Sequence, residues 1–271
     1  MADAMDFPTA RERVLRSGET MIGIMPDICL VSHFQAGDWP VLYRAVTTGN
    51  VHRWGLPLMI PNFSRLKNGI FLEKNTILPI HGFGRLLPWN IIAQDEARLA
   101  MQLVSSAATR ASYPYEFTFT AAVAAGEGTL TYTVTMENRG DETMPIAPGF
   151  HPYFAVAQQD KARVISSGPP DFAASACDWD NHPPDSPYPF PHSVSVEFPR
   201  GRLTIAELPV DGAYALSTMQ VWSEPASAPD HDFICFEPVV SSEDALNRPA
   251  DRLNIAPGQS RQFVLRLTAE K

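Results

Sequence analysis

Cysteine is scarce in this 271-residue chain: Cys29, Cys177 and Cys235 are an odd number at wide spacing, with no Cys-x-x-Cys pair. That excludes a disulfide scaffold, a zinc ribbon and a dithiol redox site, and the three read as reduced, buried small side chains. Basic charge is also short. Lys and Arg total 21 against 30 Asp and Glu, a net charge of -9 with the cations scattered. A nucleic-acid or anionic membrane surface needs a basic patch, so neither is an expected partner. Long apolar runs are missing, since residues 22–25 and 233–236 fall far short of the ~20 a membrane-spanning helix requires. Asp3 and Asp6 stand where a signal peptide carries positive charge, and no apolar segment follows, so a cytoplasmic location is expected. Helical periodicity is rare. Residues 9–17, closed by Gly18, read either as a short capped helix or as an edge strand. Gly-x-Ser-x-Gly, a phosphate-binding Gly-rich loop ending in Lys-Ser/Thr and His-Glu-x-x-His are all absent. This removes the motif-based case for a serine hydrolase, a P-loop enzyme or a zinc protease.

What the chain has in quantity is alternation. Thr129-Leu130-Thr131-Tyr132-Thr133-Val134-Thr135-Met136 puts threonines on one face and apolar residues on the other, the period of a half-buried strand. Residues 116–123 are aromatic and β-branched, and Ala125-Gly126-Glu127-Gly128 between the two segments supplies a tight hairpin. Further strands read at 193–198, 203–207, 232–237 and 262–267, each bounded by Pro, Gly or Asp. Many strands without a long amphipathic helix predict an all-β fold, a large antiparallel β-sandwich built as a single domain over residues 1–271. The 25 prolines cluster at Pro169-Pro170 and through residues 183–191. Because proline cannot donate to a sheet ladder, the second cluster reads as a stiff, ordered loop over one face. Residues 224–230 read as a looser hairpin loop, and Asp230-His231-Asp232 as a solvated strand entry.

Three segments carry groups for proton chemistry: Pro148-Gly149-Phe150-His151-Pro152-Tyr153-Phe154, Phe236-Glu237-Pro238 and His81-Gly82-Phe83-Gly84-Arg85. His151 sits in a stiff aromatic setting, and Glu237 lies among Ile234, Cys235, Phe236 and Val239, where desolvation disfavours its charge. An acid and a base with environments this different can act together near neutral pH. The bland alternatives are a packed loop histidine and a solvent-facing strand-end carboxylate. Trp89 reads either as core or as a platform for a sugar face.

Taken in order with Pro57-Leu58-Met59-Ile60-Pro61-Asn62-Phe63-Ser64-Arg65, these motifs resemble the aldose 1-epimerase (galactose mutarotase) superfamily. The resemblance implies the galactose mutarotase-like supersandwich and interconversion of the α and β anomers of a hexose. It assigns Glu237 as the base for the anomeric hydroxyl and His151 as the acid for the ring oxygen. Arg65 and His81 match its substrate-contacting positions, and Arg85 reaches either an anionic substituent or a nearby carboxylate. Asp211, in Val210-Asp211-Gly212, is the best candidate for the family's sugar-binding aspartate, although Asp-Gly is also an ordinary turn signal. No metal or organic cofactor is expected. The implied ligand is a sugar or sugar phosphate, and the chain is expected to work as a monomer or homodimer. Arg53, Arg65, Lys67 and Arg85 keep a hexose-6-phosphate 1-epimerase open, and a non-catalytic sugar-binding domain is the other alternative.

Overall fold

The computed structural model describes Thr9, residues 11–168 and residues 172–271. Pro169-Pro170 fall outside the described residues. Alternation becomes burial in the Thr129–Asn138 strand, where Leu130, Tyr132, Val134 and Met136 are buried and the threonines half-exposed. It pairs with Phe117–Gly126 in register from Phe117 opposite Asn138 to Gly126 opposite Thr129, leaving Glu127-Gly128 as the turn. Gly128 takes φ +61°, a left-handed conformation that glycine adopts at no steric cost.

These strands are interior members of an eight-stranded sheet, which packs its apolar face against a ten-stranded one. Contacts between the layers include Phe150 against Phe263 and Tyr132, at ring centroid distances of 5.4 and 5.0 Å. The all-β sandwich is therefore as read. Among the described residues the α-helix is confined to Ala107–Ser112, held by a Ser106 capping box.

The ten-stranded sheet positions the site. Its Phe233–Val239 strand alternates Ile234 and Phe236 into the shared core, and Phe233, Cys235 and Val239 onto the outer face in separate apolar clusters. Glu237 belongs to that outer set, so Ile234 and Phe236 lie across the sheet from it.

One open sequence choice is settled and two expectations change. Arg13–Ser17 is an edge strand, paired with Thr20–Met25, so the strand alternative holds there. The proline cluster is no loop: Asp185–Pro189 is a strand at the opposite edge, paired with Thr218–Trp222. Pro187 and Pro189 are two residues apart, so their missing donors fall on the same side, while Ser186 and Tyr188 donate from the other. The 224–230 loop is pinned rather than loose. Buried Asp230 accepts from Tyr43 Oη at 2.7 Å, from the Thr47 and Thr48 amides at 3.2 Å and from the Thr48 hydroxyl.

Candidate active site

The central pair follows from strand register. Gly149 lies opposite Val239 and Tyr153 opposite Cys235, so His151 falls opposite Glu237 at the Pro152 break between two short strands. His151 Nδ1 comes to 3.5 Å from Glu237 Oε1, close enough for an ion pair on protonation, and both side chains are buried. On the far side the His151 amide donates to Pro57 O at 3.1 Å, which ties the break to the next strand. Above the pair opens a cavity of about 780 Å³, a volume suited to a small ligand.

Hydrogen bonds set the ring tautomers. Tyr153 Oη donates to His52 O at 2.9 Å, so its oxygen accepts from His151 Nε2 at 3.4 Å, and Nδ1 faces Glu237 bare. At His81 the Ser64 amide donates to Nδ1 at 3.1 Å, leaving Nε2–H as the donor for the cavity. His81 reaches this position through a φ of +63° followed by Gly82 at +69°. A Cβ on Gly82 would stand 2.2 Å from Ile60 O, so only glycine allows the close approach.

Burial governs the protonation of the pair. It pushes Glu237 well above the usual carboxylate range, helped by Asp185 and opposed by Arg85. His151 is pushed well below 6.5 by burial, then by His81, Arg85 and Arg53. His81 falls to about 3 through burial and the charges of Arg85, Arg53 and Arg65. These opposite shifts favour the pair's proton on Glu237. A buried ring facing arginines and a second histidine has too little compensating charge to favour an imidazolium.

Arg65 and Arg85 both line the cavity, and Arg85 Nε is buried without a hydrogen-bond partner. Asp211 does not join them. It occupies an exposed turn at φ +50°, outside the cavity lining, so the turn reading of Asp-Gly holds. The aspartate in the cavity lining is Asp185, which accepts from Gln220 Nε2 at 2.6 Å. Trp89 is core, with Nε1 donating to Gly84 O at 2.8 Å. The indole at the cavity is Trp222, edge-on to His151 with ring centroids 5.6 Å apart. Arg53 lies 4.8 Å over the Trp222 ring and pairs with Glu224 at 2.8 Å. Asp185, Gln220, Trp222 and Glu224 were missed because they sit on strands and loops with no motif of their own. Cross-strand pairing brings them in: Glu237 lies opposite Gln220, and Gln220 opposite Pro187.

The sequence model of the aldose 1-epimerase family matches residues 58–192, which contain the His81 and His151 segments. The chain belongs to the aldose 1-epimerase superfamily. The Escherichia coli (strain K12) protein YphB is 28% identical over 213 residues, 70% of this chain and 71% of YphB. A Salmonella typhimurium (strain LT2) protein provisionally named glucose-6-phosphate 1-epimerase is 35% identical over 147 residues, 51% of this chain and 45% of that protein. The galactose mutarotase related enzyme of Lactobacillus acidophilus superposes with a TM-score of 0.78 at 19% identity, covering 96% of this chain and 97% of that one. The fold is thus the galactose mutarotase-like sandwich of the superfamily.

The raised Glu237 has a measurable consequence for stability in this superfamily member. Below the ordinary carboxylate value of 4.5 the group is protonated whether folded or unfolded and costs nothing. As pH rises beyond that value the unfolded chain ionises while the folded one does not, so stability falls until the raised folded value is passed. Glu237→Gln removes this loss. Thermal melts are expected to coincide near about pH 4 and to show a higher Tm for the variant at about pH 7 to 8. Equal melts at both would show that Glu237 ionises freely.

Proposed function

We propose that the chain interconverts the α and β anomers of an aldose through acid and base catalysis by His151 and Glu237, without a cofactor. The observation that carries this reading is the buried pair itself, 3.5 Å apart beneath a cavity of sugar size. The reactive form is the charge-separated tautomer of the one-proton pair. Carboxylate at Glu237 takes the proton of the anomeric hydroxyl, and imidazolium at His151 protonates the ring oxygen as the C1–O5 bond breaks. Rotation about C1–C2 and the reverse transfers close the other anomer. Hydrogen bonds from sugar hydroxyls stabilise the carboxylate in place of the lost water. His81 Nε2–H donates to a sugar oxygen, Trp222 offers an apolar platform, and Asp185 accepts from hydroxyls. The reading carries over a cytoplasmic setting and a single domain from the sequence.

A phosphorylated sugar is the more specific reading, and one observation favours it. Arg85 is half-buried at the cavity with Nε unpartnered, an arrangement that an anionic substituent would complete. An anion on Arg85 would also cancel part of the field that depresses His151, making its imidazolium easier to form. The name of the Salmonella typhimurium relative points the same way.

Polarimetry of freshly dissolved α-glucose, α-galactose and glucose 6-phosphate, with and without protein, tests both readings. Acceleration of at least one is expected; none would end the epimerase reading. Arg85→Ala is expected to weaken phosphosugar turnover by about 1.5 to 3 kcal/mol, the worth of a charge-assisted contact, while sparing neutral hexoses. Equal loss on both substrates would make Arg85 structural.

A further inference from the structure

Beside the acid–base pair lies a third group that proton transfer does not use. Cys235 is fully buried, two residues before Glu237 on the same strand face, and opposite Tyr153 and Trp222 in the flanking strands. One ligand atom each from His151, Cys235 and Glu237 lies within 4.8 Å of the other two. Two polar atoms of this trio, His151 Nδ1 and Glu237 Oε2, are buried with no hydrogen-bond partner. Unpaired buried atoms of this kind are costly and rare, and a cation is one partner that satisfies both at once.

We infer that His151, Cys235 and Glu237 form a three-ligand site for a thiophilic divalent cation such as Zn²⁺, and that its occupancy blocks the proton-transfer pair. The blocking half rests on the epimerase reading; the binding half does not. Tetrahedral zinc with nitrogen, sulfur and oxygen ligands spaces those atoms about 3.3 to 3.6 Å apart. His151 and Glu237 already stand at 3.5 Å, and the 4.8 Å bound leaves little for a cysteine rotamer to close. His151 and Glu237 line the cavity, the side from which a fourth ligand can approach. One imidazole, one thiolate and one carboxylate suit zinc, whereas magnesium and calcium require oxygen sets.

Charge balance explains why so dry a place would accept an ion. Burial raises the Cys235 thiol and the Glu237 carboxyl and lowers the His151 ring, so each favours its neutral form. Binding adds a 2+ charge and expels two protons, one from sulfur and one from the carboxyl, so the net buried charge is unchanged. Arg85 and Arg53 oppose the cation, as does Lys161, whereas Asp185 and Glu224 favour it. Affinity rises with pH as long as both protons must leave, by up to about 100-fold per unit.

Calorimetric titration of the full chain with zinc chloride, with magnesium and calcium chloride as controls, is expected to give one zinc site with proton release and neither of the others. Cobalt(II) is expected to give a sulfur-to-cobalt charge-transfer band that Cys235→Ser abolishes and Cys177→Ser leaves. Zinc affinity is expected to fall on the order of 100-fold in Cys235→Ser, and Glu237→Gln provides a second ligand deletion of conserved size. A band that survives Cys235→Ser, or the absence of a single tight zinc site in the wild type, would overturn the proposal. Polarimetry then separates its halves, each variant being measured against its own metal-free rate. Zinc that binds at Cys235 without slowing wild-type anomerisation would leave a metal site and refute the block. A wild type that binds zinc but never accelerates anomerisation would remove the epimerase reading instead.

Discussion

Glu237→Gln is expected to lower kcat for anomerisation by about 10²- to 10⁴-fold, the usual worth of a positioned general base, with KM nearly unchanged. Glutamine keeps the size and most of the hydrogen bonding of the side chain but cannot take the anomeric proton. The loss therefore falls on an interaction made mainly in the transition state. His151→Asn is expected to cause a comparable loss, because the same proton cycles between the two groups. In the wild type only the pair holding one proton is active. Activity falls on the acid side when the pair gains a second proton and on the alkaline side when it loses its last. Burial depresses His151 and raises Glu237, so both limbs belong to the pair as a unit rather than to either residue. Steady-state polarimetry across pH measures both. Near-normal turnover by Glu237→Gln would move the base elsewhere and leave the functional reading on family membership alone.

The largest stability loss is expected far from this chemistry. Phe119 is fully buried in the Phe117–Gly126 strand of the eight-stranded sheet, stacked on Phe117 with centroids 3.9 Å apart and planes at 12°. Phe119→Ala removes a whole ring from the layer between the sheets, and β structure cannot readily collapse into the void. The expected cost is about 3 to 5 kcal/mol, or a Tm roughly 6 to 20 °C lower for a chain of this size. Denaturant unfolding should show a lower midpoint with the same slope. Turnover per folded molecule should stay within about twofold, since the acid–base pair stands on the outer face of the other sheet. A loss below about 1 kcal/mol would mean that the layer repacks, and it would overturn the view of a rigid interface here.

Legibility in the sequence followed the number of buried faces. The 129–136 segment announced itself because one face meets the core and the other meets water, so its pattern alternates with the pleat. The strand carrying Glu237 is buried on both faces, and its burial alternates nowhere. There the sequence shows an apolar run but hides which neighbours share the carboxylate's side. His151, Glu237, His81, Arg65 and Arg85 were legible through local motifs, and all five line the cavity. Asp185 was hidden because its strand is written in prolines, which argue against a sheet unless the strand is known to be an edge. Asp211 misled for the opposite reason: a turn-forming Asp-Gly is conspicuous in sequence whether or not it faces a ligand. Gln220 and Trp222 depend on cross-strand register, which no single segment encodes.

The edge position of Asp185–Pro189 divides the site into two regimes of motion. Glu237 stands on an interior strand laddered on both sides, and His151 is held between that strand and the one carrying Pro57. Exchange of amides there with solvent deuterium requires the sheet to open. Asp185 rides on a terminal strand with a neighbour on one side alone, so it can peel away without disturbing the rest. The amides of Ser186 and Tyr188 should exchange orders of magnitude faster than those of residues 234–237. Such a division lets a changed edge strand alter which sugars are admitted while the proton-transfer geometry stays fixed, so new substrate preferences can arise in this scaffold without rebuilding its chemistry.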